Sequence, residues 1–216
     1  MMPLAGRPLL SYILELLRRH GVSEVYINLY WHPEAVQQHF GKGEAEGVHL
    51  HYLLEEELSG TAGPLRKLRQ YLQGESFLVL NGDNLTNLDL AELVRFHRQA
   101  GAMLTVALHA EALEDLPAKS VAEFLPDGRI TRFQEKPSPD RLSSRWSSAG
   151  IYVVEPAVID LIPEDSPYDF GRDLIPRLLE AELPVYGYRA DFYLLDIGTP
   201  AAYERAEADV LAGKAP

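Results

Sequence analysis

The 216-residue chain contains no cysteine, which excludes disulfides and thiolate metal sites. It has no apolar run near the roughly 18–20 residues a membrane-spanning helix needs. Its start lacks the basic-then-apolar pattern of a secretory leader. Positive charge is also scarce. Twenty Lys and Arg stand against 32 Asp and Glu, for a net charge of −12. That argues against a nucleic-acid-binding surface, which needs clustered cations. It does not exclude a phosphate-bearing small molecule held by a divalent metal, backbone N–H groups and a few placed cations. With 46% hydrophobic and 24% charged residues, the chain is expected to form a single domain over 1–216 with a sizeable core. The expected setting is the cytoplasm, without membrane or nucleic-acid partners. A homo-oligomer is compatible with everything the sequence contains.

Periodicity supplies the elements. Leu9, Leu10, Ile13, Leu14, Leu16 and Leu17 recur at helical spacing, and Gly21 stops the run. Glu24–Leu29 and Val48–Leu54 read as strands. Pro33–Phe40 reads as a helix with proline in its first turn, and Pro64–Gln73 as another. Phe77–Leu80 is a short continuous apolar run, as in strands buried on both faces. A helix over Leu90–Gln99 and a strand over Met103–Leu108 follow. Strands then dominate, at Val121–Leu125, Arg129–Phe133 and Ile151–Val154, with a hairpin-type turn at Asp127-Gly128. Helices return at Arg172–Glu180 and Pro200–Leu211, with strands Val185–Tyr188 and Phe192–Leu195 between them. Early alternation of strands and helices predicts an α/β fold with a parallel sheet. The strand-rich stretch, about 110–190, predicts a subsidiary part. Ligands of such folds bind at the carboxyl ends of the strands.

Several side chains at those ends suit phosphate chemistry. Asp83 follows a strand and lies beside Gly82; its carboxylate suits a hard cation such as Mg²⁺, although Asn81-Gly82-Asp83 is equally good as a plain turn. Asp196 precedes Ile197-Gly-Thr-Pro200, where Thr199 is placed to cap the last helix with Pro200 at its first position. Support of that helix start is the simpler role for Asp196. The small residues of Gly60-Thr61-Ala62-Gly63 let a backbone approach a ligand closely, and by themselves they describe a plain loop. Lys136, between Glu135 and Pro137, offers a point charge to a phosphate or sits in a solvated turn. Asp169 and Asp173 are expected to cap the helix that follows them. His49 and His51 share one strand face, with no third metal ligand evident in the sequence.

Seven short motifs occur in a fixed order. They are Gly6-Arg-Pro-Leu-Leu10, Ser59-Gly-Thr-Ala-Gly63, Leu80-Asn-Gly-Asp83, Phe133-Gln-Glu-Lys-Pro137, Ala149-Gly-Ile-Tyr-Val153, Asp169-Phe-Gly-Arg-Asp-Leu-Ile-Pro176 and Leu195-Asp-Ile-Gly-Thr-Pro200. In this order they resemble the sugar-1-phosphate nucleotidyltransferases, or nucleotide-sugar pyrophosphorylases, from about residue 3 to the end. Gly128-Arg-Ile-Thr-Arg-Phe-Gln-Glu-Lys-Pro137 and the Asp-Phe-Gly-Arg-Asp stretch look most like the mannose-1-phosphate guanylyltransferase branch.

The resemblance implies a Rossmann-like, three-layer fold with a mostly parallel, mixed central sheet. It also implies a reaction between a nucleoside triphosphate and a sugar 1-phosphate, giving a nucleotide sugar and pyrophosphate. Asp83 and Asp196 would hold Mg²⁺, with Asn81 and Gly82 beside substrate. Lys136 would contact the sugar phosphate and Glu135 the sugar. Gly60, Thr61, Ala62 and Gly63 would border the base, and Ala149 and Gly150 the sugar. The family's opening strand, glycine-rich loop and Lys-Pro pair have no counterpart here. The 216 residues alone are therefore expected to turn over weakly, and the alternative is a sugar-nucleotide-binding or regulatory relative. Ser59, Pro64, Ser148 and Leu194 also depart from common family residues, which leaves the sugar and the base open.

Overall fold

The computed structural model describes residues 3–164 and 167–216. Along the chain lie β1 (Pro3–Leu4), β2 (Arg7–Pro8), α1 (Leu9–Arg19), β3 (Glu24–Leu29), α2 (Pro33–Phe40), β4 (His49–Leu54), α3 (Gly63–Lys67), β5 (Phe77–Leu80) and β6 (Asn84–Thr86). They are followed by α4 (Leu90–Ala100), β7 (Leu104–Ala110), β8 (Ser120–Phe124), β9 (Ile130–Glu135), β10 (Trp146–Val154), α5 (Ile175–Glu180), β11 (Val185–Arg189), β12 (Leu194–Asp196) and α6 (Pro200–Leu211). Among the described residues no helix is long and apolar enough to cross a membrane.

The chain divides into two compact units. The first comprises residues 1–58, 81–91 and 192–216. Its helix α1 turns Leu9, Tyr12, Ile13, Leu16 and Leu17 inward, as the helical spacing requires. Leu9 and Tyr12 pack with Leu4, Leu85, Ile197 and Ala206. Each leucine or isoleucine among them contributes roughly 1.5–3 kcal/mol by leaving water. β3 and β4 form a parallel pair, and β6 pairs antiparallel with β12. Helix α6 starts where expected. Thr199 accepts the Ala202 N–H at 3.2 Å, with Pro200 in the first turn.

The second unit comprises residues 59–80 and 92–191. It holds a mixed sheet ordered β11-β7-β10-β8-β9, with β5 also pairing β10. β11 runs parallel to β7, while β5, β7 and β8 run antiparallel to β10. Leu104, Val106 and Leu108 of β7 join Tyr152, Val154, Phe170, Leu174 and Leu178 in one core. Thr105 and Ala107, on the opposite face of β7, are fully buried too. Two-sided burial suits a strand whose two faces carry apolar or small side chains, with Thr105 Oγ1 bonded to His97 Nδ1 at 2.8 Å.

Three expectations need correction. β5 is half-buried along its length, because among the described residues it pairs only with β10 and water reaches its other side. The helix after the Gly60–Gly63 loop stops at Lys67 rather than continuing to Gln73. Beyond it, Leu72 N–H is shared between the Leu68 and Arg69 carbonyls, a tightened turn that ends the α-helical pattern. The stretch from Arg172 opens with a π-helical turn over Phe170–Leu174 before α5.

Candidate active site

In the first unit, Gly82 and Asp83 form a turn between β5 and β6. The antiparallel register sets Asp196 opposite Asn84, and Ile197 N–H donates to the Asp83 carbonyl at 3.0 Å. The two aspartates predicted to share a metal are therefore neighbours on adjacent backbones, and both are exposed. Asp196 also performs the simpler role, since its Oδ1 accepts the Gly198 N–H at 2.9 Å. An all-oxygen pair of exposed carboxylates fits Mg²⁺, which keeps several waters and takes one or two carboxylates beside substrate phosphates.

The second unit brings the other predicted residues onto three loops. The first is Gly60–Gly63. Gly60 has φ +82, and a Cβ there would lie 2.6 Å from the Tyr168 carbonyl oxygen. Only glycine suits that position, on conformation and on space alike. The Ala62 and Gly63 N–H groups donate to that carbonyl at 2.8 and 3.1 Å.

The second loop is the corner after β9. Lys136 is exposed and is held at φ +46, a left-handed conformation that costs a non-glycine residue roughly 1–2 kcal/mol. Its N–H donates to the Lys119 carbonyl at 2.9 Å. The preceding Glu135 carboxylate accepts a bond from the Ser120 hydroxyl.

The third is an irregularity in β10, whose register against β7 shifts between Ser148 and Tyr152. Gly150 adopts φ +65, and its N–H donates to Ser148 Oγ at 3.2 Å. Ala149 and Gly150 are both buried. Bulges of this kind re-aim backbone groups beside ligand sites.

Two groups behave differently from the sequence reading. Asp169 makes no side-chain cap bond to the helix it precedes. Its Oδ1 instead accepts Thr61 N–H at 3.0 Å and Thr61 Oγ1 at 3.1 Å, while Asp173 Oδ2 accepts the Asp169 N–H at 2.8 Å. The histidine pair does have a carboxylate partner. Glu24, opposite His49 in register, bonds His49 Nδ1 at 2.7 Å and His51 Nε2 at 2.8 Å. Bonding to His51 and His49 holds its carboxyl below the usual range. Even so, no group of three such side chains among the described residues is arranged to hold a metal ion.

Sequence reading missed Ser120, Tyr152 and Phe170. The Phe170 and Tyr152 rings stack at 4.2 Å and 9°. The Tyr152 hydroxyl bonds Ser148 Oγ at 3.2 Å, and burial pushes its phenol up to about 12. Motif order gave a hint for Tyr152 and Phe170, which lie inside quoted motifs, and none for Ser120.

Comparison with known proteins supplies the context. The chain is 35% identical over 98% of its length to the UTP–glucose-1-phosphate uridylyltransferase of Synechocystis sp., covering 57% of that protein. It is 33% identical over its full length to the mannose-1-phosphate guanylyltransferase of Mycobacterium tuberculosis, covering 59% of it. The chain thus spans somewhat under three-fifths of these two relatives. In fold it resembles the crystal structure of HddC from Yersinia pseudotuberculosis, with a TM-score of 0.82, 20% identity, and coverage of 97% of this chain and 88% of that one. Residues 1–213 match the nucleotidyl transferase family as a whole. The motifs, the α/β fold and this match together establish that the chain belongs to the nucleotidyl transferase family, among relatives that are sugar-1-phosphate nucleotidyltransferases.

Proposed function

We propose that the protein transfers a nucleotidyl group from a nucleoside triphosphate to a sugar 1-phosphate. A phosphate oxygen of the sugar 1-phosphate attacks the α-phosphorus in line. The bond from that phosphorus to the bridging oxygen of the β-phosphate breaks, and pyrophosphate leaves with the charge. Such a step needs little covalent help, but it needs positioning and charge stabilisation. Mg²⁺, when bound, neutralises phosphate charge and favours departure of pyrophosphate. Asp83 and Asp196 are the residues that would hold it. Lys136 supplies a fixed positive charge to the sugar phosphate, Glu135 and the Ala149-Gly150 bulge orient the sugar, and Gly60–Gly63 receive the base. The observation that carries this reading is Lys136, a solvent-facing cation kept in a strained backbone conformation next to Glu135. Strain of that kind gathers at functional sites. Use of a nucleoside triphosphate would suit a cytoplasmic setting.

Mannose 1-phosphate with GTP is the first pair to test, on the motif resemblance and the mycobacterial relative. Glucose 1-phosphate with UTP is the second, supported by the Synechocystis relative. Pyrophosphate release is measured for the four crossed pairs, with and without Mg²⁺. Activity with at least one pair, abolished by EDTA, is expected. Asp83→Asn and Asp196→Asn should each lose about a hundredfold or more, several kcal/mol of charge stabilisation. Tight binding of a nucleotide sugar without pyrophosphate release would instead mark a binding protein.

A further inference from the structure

Three consecutive residues, Asp169, Phe170 and Gly171, each touch a different one of the three loops of the second unit. Asp169 holds Thr61 through both its N–H and its hydroxyl. The same hydroxyl accepts the Phe170 N–H at 2.9 Å, so its donor and acceptor capacity are both used. Main-chain bonds strengthen the attachment, with Tyr168 N–H donating to the Ser59 carbonyl at 2.8 Å. Phe170 stacks on Tyr152, whose hydroxyl meets Ser148, and Ser148 in turn fixes the Gly150 N–H. At Gly171, a Cβ would lie 2.8 Å from Glu135 Oε2 and 3.1 Å from Ser120 Oγ. Phe170–Leu174 is a π-helical turn, a geometry found often at functional sites.

We propose that Asp169 is a positioning residue for the nucleotide, and that the Asp169-Phe170-Gly171 turn sets the base loop, the sugar bulge and the Glu135-Lys136 corner in one register. The inference rests on the proposed assignment of these loops to base and sugar. Asp169 touches neither reacting group; it acts through Thr61. Losing its carboxylate leaves Thr61 N–H and its hydroxyl without their acceptor, and the base loop loses its fixed placement. The Arg172 ion pair at 3.5 Å is largely exposed and contributes little.

The test compares Asp169→Ala, Asp169→Asn and Gly171→Ala with the parent protein. Calorimetry measures GTP and UTP binding in Mg²⁺, and pyrophosphate release gives KM for each substrate. Asp169→Ala should weaken nucleotide binding at least tenfold and narrow the GTP-to-UTP preference. Its KM for sugar 1-phosphate should move less than threefold. Asp169→Asn keeps an acceptor oxygen for Thr61 and should recover nucleotide binding to within threefold of the parent. Gly171→Ala presses on Glu135, so it should raise the sugar 1-phosphate KM several-fold and leave the nucleotide Kd within threefold. The proposal is overturned if Asp169→Ala moves both substrates equally, or moves neither. It is also overturned if Asn fails to rescue. If the parent binds nucleotide but releases no pyrophosphate with any sugar phosphate, the functional reading falls while the binding arm still decides the role of Asp169. A parent that binds no nucleotide sinks both.

Discussion

Gly60→Ala offers the sharpest check on how the base loop is built, because two separate penalties meet at one atom. Gly60 sits at φ +82, where an added Cβ costs about 1–2 kcal/mol on backbone sterics alone. That Cβ would also fall 2.6 Å from the Tyr168 oxygen and 2.8 Å from its carbonyl carbon and nitrogen. All three are main-chain atoms, so no side chain can swing aside. Relief requires the 59–63 and 168–170 segments to separate. That strains three main-chain bonds, from Ala62 and Gly63 to Tyr168 and from Tyr168 to Ser59. At a net value of about 1 kcal/mol each, their loss adds about 2–3 kcal/mol. Gly101→Ala is the control. Gly101 is also left-handed, at φ +60, with nothing within 4 Å of its virtual Cβ, so it should lose only the conformational part. The gain from a stiffer unfolded chain is common to both variants and cancels. Urea unfolding should therefore place Gly60→Ala about 2–3 kcal/mol below Gly101→Ala, a midpoint difference on the order of 1 M. Equal stabilities within about 0.5 kcal/mol would refute the close-approach argument.

Other outcomes follow from single residues. Lys136→Gly removes a left-handed non-glycine residue, so it should fold as stably as the parent or up to about 1 kcal/mol more stably, while turnover falls at least about a hundredfold, roughly 2.7 kcal/mol of transition-state stabilisation. Unchanged turnover would leave Lys136 as a plain turn residue. His97 is 1% exposed and bonds Thr105 Oγ1 at 2.8 Å and Glu155 at 3.0 Å. His97→Ala should cost about 2–4 kcal/mol through a cavity and a stranded hydroxyl, without altering nucleotide Kd under conditions where the variant is folded; a shift below 1 kcal/mol in urea would contradict that. Tyr152 supplies a pH test. Burial raises its pKa to about 12 in the folded protein, against the ordinary tyrosine value of 10.0, so the neutral phenol is favoured by folding. The stability tied to it is complete below pH 10 and is lost as pH rises from 10 towards 12, at up to about 1.4 kcal/mol per pH unit. Tyr152→Phe should flatten this part of the urea-midpoint profile relative to the parent, and parallel profiles would argue against a buried phenol.

Much of the fold was legible because its causes are local. The i, i+3, i+4 leucines of α1 and the Thr199-Pro200 start of α6 are short-range patterns with one favourable outcome each. Phe77–Leu80 was read as a strand for the right reason, but its burial was overestimated. An apolar run reports what a strand is able to bury, whereas its neighbours decide what it does bury. Asp169 was misread for a related reason. An aspartate ahead of a helix caps it by default, and nothing nearby in sequence announces a partner 108 residues away. Glu24 and the two histidines meet only because β3 pairs with β4 in one register.

The sequence by itself determined the longer helices and strands in their order, the family, and the places where Asp83, Lys136 and Asp196 occur, since each follows from spacing or from motif order; the short strands β1, β2 and β6 carry no such signal. Tertiary structure alone decided that Lys136 is held left-handed, that Gly150 sits in a bulge, and that the Asp169-Phe170-Gly171 turn reaches three loops. Those features depend on main-chain approach between segments distant in the chain, and residue type encodes such approach only once the sheet has fixed which segments meet.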